Sequence, residues 1–282
     1  MADYLQVHGD HWSSIYRDQK VLFEFLPHAI TQADVFARGQ AIYCDNTAES
    51  AEEKLSPITA LSYAFTENTQ YLFLMAHDAE KQNHQLVSFY PHLHNGLPIE
   101  VTLLEIHEWD NLLEATLLVE DEYQCQYCFF DTLYFMHKTR YKIGQRHAFS
   151  LSAMALHAQI VEETQLKLEG KQAEDFRRQY GDQDSSNEPL YINTANLVEF
   201  VANHPRLPQL ASFQSPITYV AESEFHNIGF YQCDIFISEE SRQQGLTLPL
   251  YVRQDMLAQR KPNIDQAIRG TLWLQGHCVE EI

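Results

Sequence analysis

The clearest alternation of apolar and polar positions begins at residue 98. Ile99, Val101 and Leu103 alternate with Glu100 and Thr102. Leu113, Ala115, Leu117 and Val119 alternate with Glu114, Thr116 and Leu118, and Tyr123, Cys125, Tyr127 and Phe129 alternate with Gln124, Gln126 and Cys128. Successive side chains of a strand point to opposite faces, so each run offers one apolar face and one mostly polar face. The breaks Trp109-Asp110-Asn111 and Glu120-Asp121-Glu122 are short enough for hairpin turns, which predicts a three-strand meander. An aromatic and basic loop, Thr132 to Tyr141, leads to Gly144 and then to Ala148–Val161. That segment is both alternating and Ala-rich, and it reads as a long bent strand.

The end of the chain returns to the same pattern. Ile217–Ala221 predicts a strand, and so does Phe230–Ile237, where Tyr231, Cys233, Ile235 and Ile237 share a face. Leu246, Leu248, Leu250 and Val252 alternate next, with Pro249 pointing to an edge or a bulge. Gly270 to Gly276 closes the chain, its glycines suited to a barrel corner and Trp273 to covering a core. Both β blocks run strand, turn, strand, turn, strand, connector, glycine, strand. The glycine is Gly144 in the first block and Gly270 in the second, and residue identity between the blocks is low. That order fits small Greek-key or OB-like barrels.

Elsewhere the periodicity is weaker. Val21–Leu26 reads as a short strand stopped by Pro27, Ala48–Ala64 as a Glu-led helix interrupted at Pro57, and Tyr71–Ala76 as a buried strand. Glu169–Tyr180 predicts an exposed helix, Gly181–Glu188 a loop, and Thr194–Asn203 a short helix ending before Pro205. The expected fold class is therefore α+β and β-rich, with antiparallel meanders forming one or two small OB-like or Greek-key barrels. Its expected organisation is a mixed α/β acidic N-terminal part (1–97), a β meander (98–162), a helical or loop connector (163–210) and a C-terminal β block (211–282).

Charge changes the picture most. Nineteen Lys and Arg face 39 Asp and Glu, a net −20, and residues 1–130 hold 5 of the basic and 20 of the acidic side chains. Such a surface repels phosphate and anionic lipid and attracts basic partners at long range. Aromatic residues suffice for a core, no apolar run approaches the roughly 20 residues of a spanning helix, and the first residues do not read as a secretory signal. Five cysteines, an odd number, suit reduced thiols, and the expected location is cytoplasmic.

Motifs for chemistry are sparse. Cys125-x-x-Cys128 lies in a period-two run, where an offset of three aims the thiols at opposite faces, and it has no second pair. His8-Gly9-Asp10-His11 and His92-Leu93-His94 place imidazoles close together. A strand would put His92 and His94 on one face, ready to chelate Zn²⁺ if a third ligand came from elsewhere; with 14 histidines, such pairs also arise by chance. No cofactor or metal is assigned. There is no G-x-S-x-G, Walker A, G-x-G-x-x-G or H-E-x-x-H, so the reading leans away from an enzyme without naming catalytic residues.

The segment Thr132–Ile160 lacks Asp and Glu and interleaves Lys138, Arg140, Lys142 and Arg146 with Tyr134, Phe135, Tyr141 and Phe149. Cations beside aromatic faces suit single strands or nucleotides; equally, they can pair with the acidic first half. The leading expectation is a non-catalytic acidic protein that docks a basic protein partner, of the inhibitor, immunity or nucleic-acid-mimic type. Its docking residues would be Glu100, Glu105, Glu108, Asp110, Glu114, Glu120, Asp121 and Glu122. The alternatives are an OB-like nucleotide or single-strand binder using Lys138, Arg140, Tyr141, Lys142 and Arg146, and an enzyme of unknown reaction.

Overall fold

A computed structural model describes residues 11–45, 52–78, 83–162, 165–180, 189–202 and 209–279. His8 and Asp10 of the first histidine motif, and the Gly181–Glu188 segment, lie outside the described residues.

Val21–Leu26 lies in a helix, not in the strand expected there. Helix α1 (Gln19–Gln32) is capped by the Asp18 carboxylate, which accepts from the Lys20 amide. It buries Leu22, Leu26 and Ala29, an i, i+4, i+7 stripe that continues past Pro27. Burial of that stripe outweighs the backbone hydrogen bond that Pro27 removes.

Four strands follow as an antiparallel meander in the order β1-β2-β3-β4: β1 (Asp34–Asp45), β2 (Glu52–Ala64), β3 (Thr69–Asp78) and β4 (Asn83–Leu93). Of the helix expected at Ala48–Ala64, residues 48–51 lie outside the described residues and Glu52–Ala64 is strand β2 instead. Its Pro57 sits one residue outside the stretch that pairs with β3, which begins at Ile58, so the missing N–H breaks no bond of that ladder.

The first block contains β5 (Leu97–Glu108), β6 (Ala115–Glu120), β7 (Gln126–Asp131), the single helical turn α2 (Tyr134–His137) and β8 (Arg146–Ile160). A small ladder joins β9 (Gln165–Leu168) to β10 (Leu190–Asn193) around helix α3 (Lys171–Tyr180). The helix expected at Thr194–Asn203 is instead a turn followed by strand β11 (Glu199–Ala202), which pairs with β12. The second block contains β12 (Leu210–Phe225), β13 (Ile228–Ile235), helix α4 (Glu239–Gln244), β14 (Leu248–Arg253), a 3₁₀ turn (Gln254–Leu257) and β15 (Ala267–Cys278).

The molecule is β-rich and barrel-like, and its pairings close two rings. One runs β5-β6-β7-β15-β8 and back to β5; the other runs β12-β13-β14-β8-β15 and back to β12. Both barrels therefore share β8 and β15, whose antiparallel ladder runs from Ile160↔Ile268 to Phe149↔Cys278. Each block's last strand pairs antiparallel with its own first strand. Each block's third strand pairs parallel with the other block's last, at Phe130↔Gln275 and at Leu250↔Ala153.

Around their first-strand bulges the two blocks match in main-chain register, which relates them by a pseudo-two-fold axis near the Ala153↔Leu274 pair, although the bulge between Thr271 and Leu272 on the shared ladder has no counterpart. Each first strand carries a bulge, between Leu103 and Glu105 and between Ile217 and Tyr219. Beside the bulge, Leu103 donates to Gln145 O (3.0 Å) and Gly144 donates back to Leu103 O (2.7 Å). In the second block Ile217 donates to Gln266 O (2.9 Å) and Asp265 donates back to Ile217 O (2.8 Å). The counterpart of Gly144 is therefore Asp265, not Gly270, and both occupy the left-handed region (φ 82° and 68°), which glycine and, more rarely, Asp adopt.

Pro249 is accommodated because β14 meets β8 only at Leu250 and Tyr251. The barrel interiors form one apolar core, including Leu103, Phe129, Phe149, Ala153, Cys233, Leu250 and Leu274. A second core joins α1 and the N-terminal meander to the outer face of the shared ladder through Phe130, Met154, Tyr251 and Trp273. Polar contacts reinforce that junction. Arg253 Nη1 donates to the carbonyls of Ser13 (3.1 Å) and Ile15 (3.3 Å), Tyr90 Oη to Thr132 O (2.8 Å), and Thr69 Oγ1 to Glu224 O (2.8 Å).

Candidate functional site

The β6–β7 turn is built by Asp121, whose carboxylate accepts from the amides of Tyr123 and Cys125, both at 2.9 Å. That double acceptance turns the chain so that Glu122 and Tyr123 project outward. Across from it stands α4, closed by a capping box in which Ser238 and Ser241 exchange side-chain-to-backbone bonds. Gln244 at the end of α4 reaches the Tyr123 hydroxyl.

Between the turn and the helix lies a groove of about 270 Å³. Leu97, Ile99, Ile237 and Leu246 give it apolar walls, and Glu100, Asp121, Glu122 and Arg146 lie along it. Its field is negative. The Tyr123 hydroxyl titrates above its ordinary value through partial desolvation and then through the carboxylates of Glu122, Glu240 and Asp121. The Cys125 thiol is raised by desolvation and by Asp121 and Glu240. The two block-derived walls thus bring carboxylates from β5, from the β6–β7 turn and from α4 around one exposed aromatic ring.

The eight acidic residues singled out in the sequence fall into three groups. Glu100, Asp121 and Glu122 meet at the groove, with Glu100 also 3.1 Å from Arg146. Glu105, Glu108 and Asp110 lie at or just beyond the far end of β5. There Glu105 stands 3.6 Å from His107 Nε2, while Glu108 accepts from Lys138 Nζ and Tyr134 Oη at 3.1 Å. Glu120 accepts from Gln126 (2.8 Å), and Glu114 is fully buried, accepting from Asn111. Glu239, Glu240, Tyr123 and Leu246 were missed in the sequence. Only the facing of the two blocks across the groove singles them out.

The basic–aromatic segment is organised inward. Tyr134, Tyr141 and Phe149 are buried in the first barrel, and Tyr141 Oη donates to Asp131 Oδ2 at 2.5 Å. Lys138 is held by Glu108 and by the Leu112 carbonyl (2.8 Å), and Arg146 pairs with Glu100. Lys142 is exposed and Arg140 half-buried; Arg140 donates its amide to His137 O.

Cys125 is exposed and Cys128 buried, on opposite faces of the strand as the spacing implies, and burial pushes the Cys128 thiol up to about 11. Among the described residues no helix is long and apolar enough to cross a membrane. Compared with protein-family models, curated proteins and solved structures, the chain matches none.

Proposed function

We propose that the chain is a binding protein whose acidic groove docks a basic, extended segment of a partner protein. The observation that carries the reading is the convergence of Glu100, Asp121, Glu122 and Glu240 around the exposed ring of Tyr123, above apolar walls. Lysine and arginine side chains suit such a place in two ways. Their cationic heads meet carboxylates or the Tyr123 face, and their methylene stems lie along apolar surface. The rest of the net −20 acts at longer range, speeding encounter with a basic partner, which is the behaviour expected of inhibitors, immunity proteins and nucleic-acid mimics.

The test is fluorescence anisotropy with a labelled peptide of alternating lysine and leucine, titrated with the full chain at low and at high salt. Saturable binding is expected at low salt, weakening as salt rises because surface charges are screened. Reversing two groove charges (Glu122→Lys with Glu240→Lys) should weaken it by about tenfold, the scale of two partly exposed ion pairs. Reversing Glu105, at the other end of β5, should leave it within about twofold, the effect of one screened surface charge. Binding that ignores the groove variants, or no binding at low salt, removes the reading.

A further inference from the structure

At another place on the molecule, where the end of β4 crosses β15, three histidines from distant parts of the chain gather. The ring centroids of His92 and His277 are 5.0 Å apart, those of His94 and His277 6.1 Å, and those of His92 and His94 6.2 Å. The sequence pattern His92-x-His94 lacks a third ligand, and β15 supplies one. We propose that His92, His94 and His277 form a binding site for a divalent late-transition-metal ion of the zinc, nickel or copper class. The proposal does not rest on the acidic groove.

The hydrogen bonding at His92 carries the argument. Thr132 Oγ1 has a single proton and two acceptors within reach, the Gly276 carbonyl at 3.2 Å and His92 Nδ1 at 2.7 Å. When the proton goes to the carbonyl, the hydroxyl accepts from Nδ1–H and His92 Nε2 keeps its lone pair. A metal ion at Nε2 selects that tautomer. Nε2 is buried and has no hydrogen-bond partner among the described residues, a costly state for a ring nitrogen unless a ligand takes the pair. A ring that donates its other N–H to an oxygen is the arrangement metal-ligating histidines adopt, because the donation fixes both tautomer and orientation.

The neighbours share this chemistry. His277 is buried beside His92, their ring centroids 5.0 Å apart, so two imidazoles lie together out of solvent. Neutral imidazoles suit zinc, copper and nickel and not the hard cations, which take oxygen ligands.

Spacing decides what must move. Zinc–nitrogen bonds of about 2.0–2.1 Å at tetrahedral angles put ligating ring centroids about 5 Å apart. His92 and His277 already stand at that distance. As they stand, no three or more His, Cys, Asp or Glu side chains among the described residues are placed to hold a metal ion. His94, the exposed member, closes the site by turning its ring toward the other two, and its exposure also gives the ion a way in.

The experiment titrates the chelator-stripped full chain with Zn²⁺ by calorimetry and with Co²⁺ by visible absorption. One equivalent of Zn²⁺ should bind, and Co²⁺ should give the d–d bands of a nitrogen-ligated ion of low coordination number. His94→Ala and His277→Ala should each weaken binding by about 100-fold or more, because a lost direct ligand costs at least as much as the roughly 10–100-fold of a lost outer-shell partner. The exposed His94→Ala variant decides the matter if His277→Ala folds poorly. A second imidazole pair, His77 and His84, faces across β3 and β4 with centroids 5.2 Å apart. The His77→Ala with His84→Ala variant should bind as the parent does. No saturable binding by the parent chain, unchanged binding by His94→Ala, or loss of binding in the His77/His84 variant overturns the proposal.

Discussion

Gly270 is the position at which the double barrel is most exposed to a single methyl group. It lies on the shared ladder opposite Ala158, one residue before the bulge between Thr271 and Leu272. A Cβ added there would stand 1.9 Å from the carbonyl oxygen of His157 and 2.8 Å from its carbon. Both are main-chain atoms, so no side chain can swing aside, and β15 must separate from β8 locally. Overpacking alone costs roughly 1–3 kcal/mol. Losing two or so ladder hydrogen bonds adds about 0.5–1.5 kcal/mol each. The Gly270→Ala variant should therefore lose about 2–6 kcal/mol, a large share of the roughly 5–15 kcal/mol that holds a domain together. Gly144→Ala is the control. Its φ of 82° strains any side chain, but an added Cβ meets nothing within 4 Å, so the cost is the left-handed backbone penalty of about 1 kcal/mol.

Urea unfolding measures both, with the combined fluorescence of Trp12, Trp109 and Trp273 and far-ultraviolet circular dichroism as probes. Because β8 and β15 belong to both barrels, the two probes should move together and a single lowered midpoint should describe Gly270→Ala. A Gly270→Ala midpoint equal to the parent's, or a Gly144→Ala loss as large as that of Gly270→Ala, would refute the reasoning from close approach.

Two further tests concern buried charge. Burial pushes the Asp131 carboxyl up to about 7 against hydrogen bonds from Tyr141 and Leu133, so between about pH 4 and 7 the folded chain keeps a proton that the unfolded chain has lost. This contribution to stability is full below that window, falls as pH rises through it and is flat above. Asp131→Asn should remove that falling component from a plot of urea midpoint against pH, and an unchanged slope sinks the assignment. His277, lowered to about 4, acts with the opposite sign: its contribution falls as pH drops from about 6.5 to 4, and His277→Gln should remove that fall. Arg253, buried between Asp255 and the Ser13 and Ile15 carbonyls, ties the N-terminal segment to β14. Replacing it with Met should cost roughly 3 kcal/mol and speed proteolysis near residues 11–16; equal proteolysis rates would show that the tie is dispensable.

What was legible in the sequence was the period of two. It located β5, β6, β7 and the long β8, and it foretold a repeated block order, because those strands alternate between a packed interior and a wetter face. Val21–Leu26 misled because a short apolar run fits strand and helix equally, and the arbiter, Ala29, lies beyond a proline that reads as a stop. The Glu-rich start of 48–64 resembled a helix N-terminus, yet Ile58, Thr59 and Tyr63 find their partners across a sheet. The repeat was faint in the sequence because what the two blocks share is main-chain register, which any side chain can satisfy. Identities were conserved in neither direction: glycine in one block is aspartate in the other. The groove and the histidine cluster were illegible for a different reason: the groove needs the two blocks that the shared ladder joins, and the cluster needs the N-terminal meander packed against β15.

The pseudo-two-fold also explains where the groove lies. The β6–β7 turn and the β13–β14 connector are counterparts, and they touch each other, Gln244 against Tyr123. Equivalent positions can meet only beside their own axis. At that axis the two blocks differ most: one has a tight turn held by Asp121, and the other carries the inserted helix α4 with Glu239 and Glu240 in its first turn. The outer face of the same ladder, at Met154 and Trp273, is covered by α1 and the N-terminal meander. One end of the axis is thereby sealed by apolar packing. At the other, unlike walls of one symmetric frame leave an acidic, aromatic-edged opening, and the frame itself holds those walls at a fixed separation through a ladder that neither barrel can form alone.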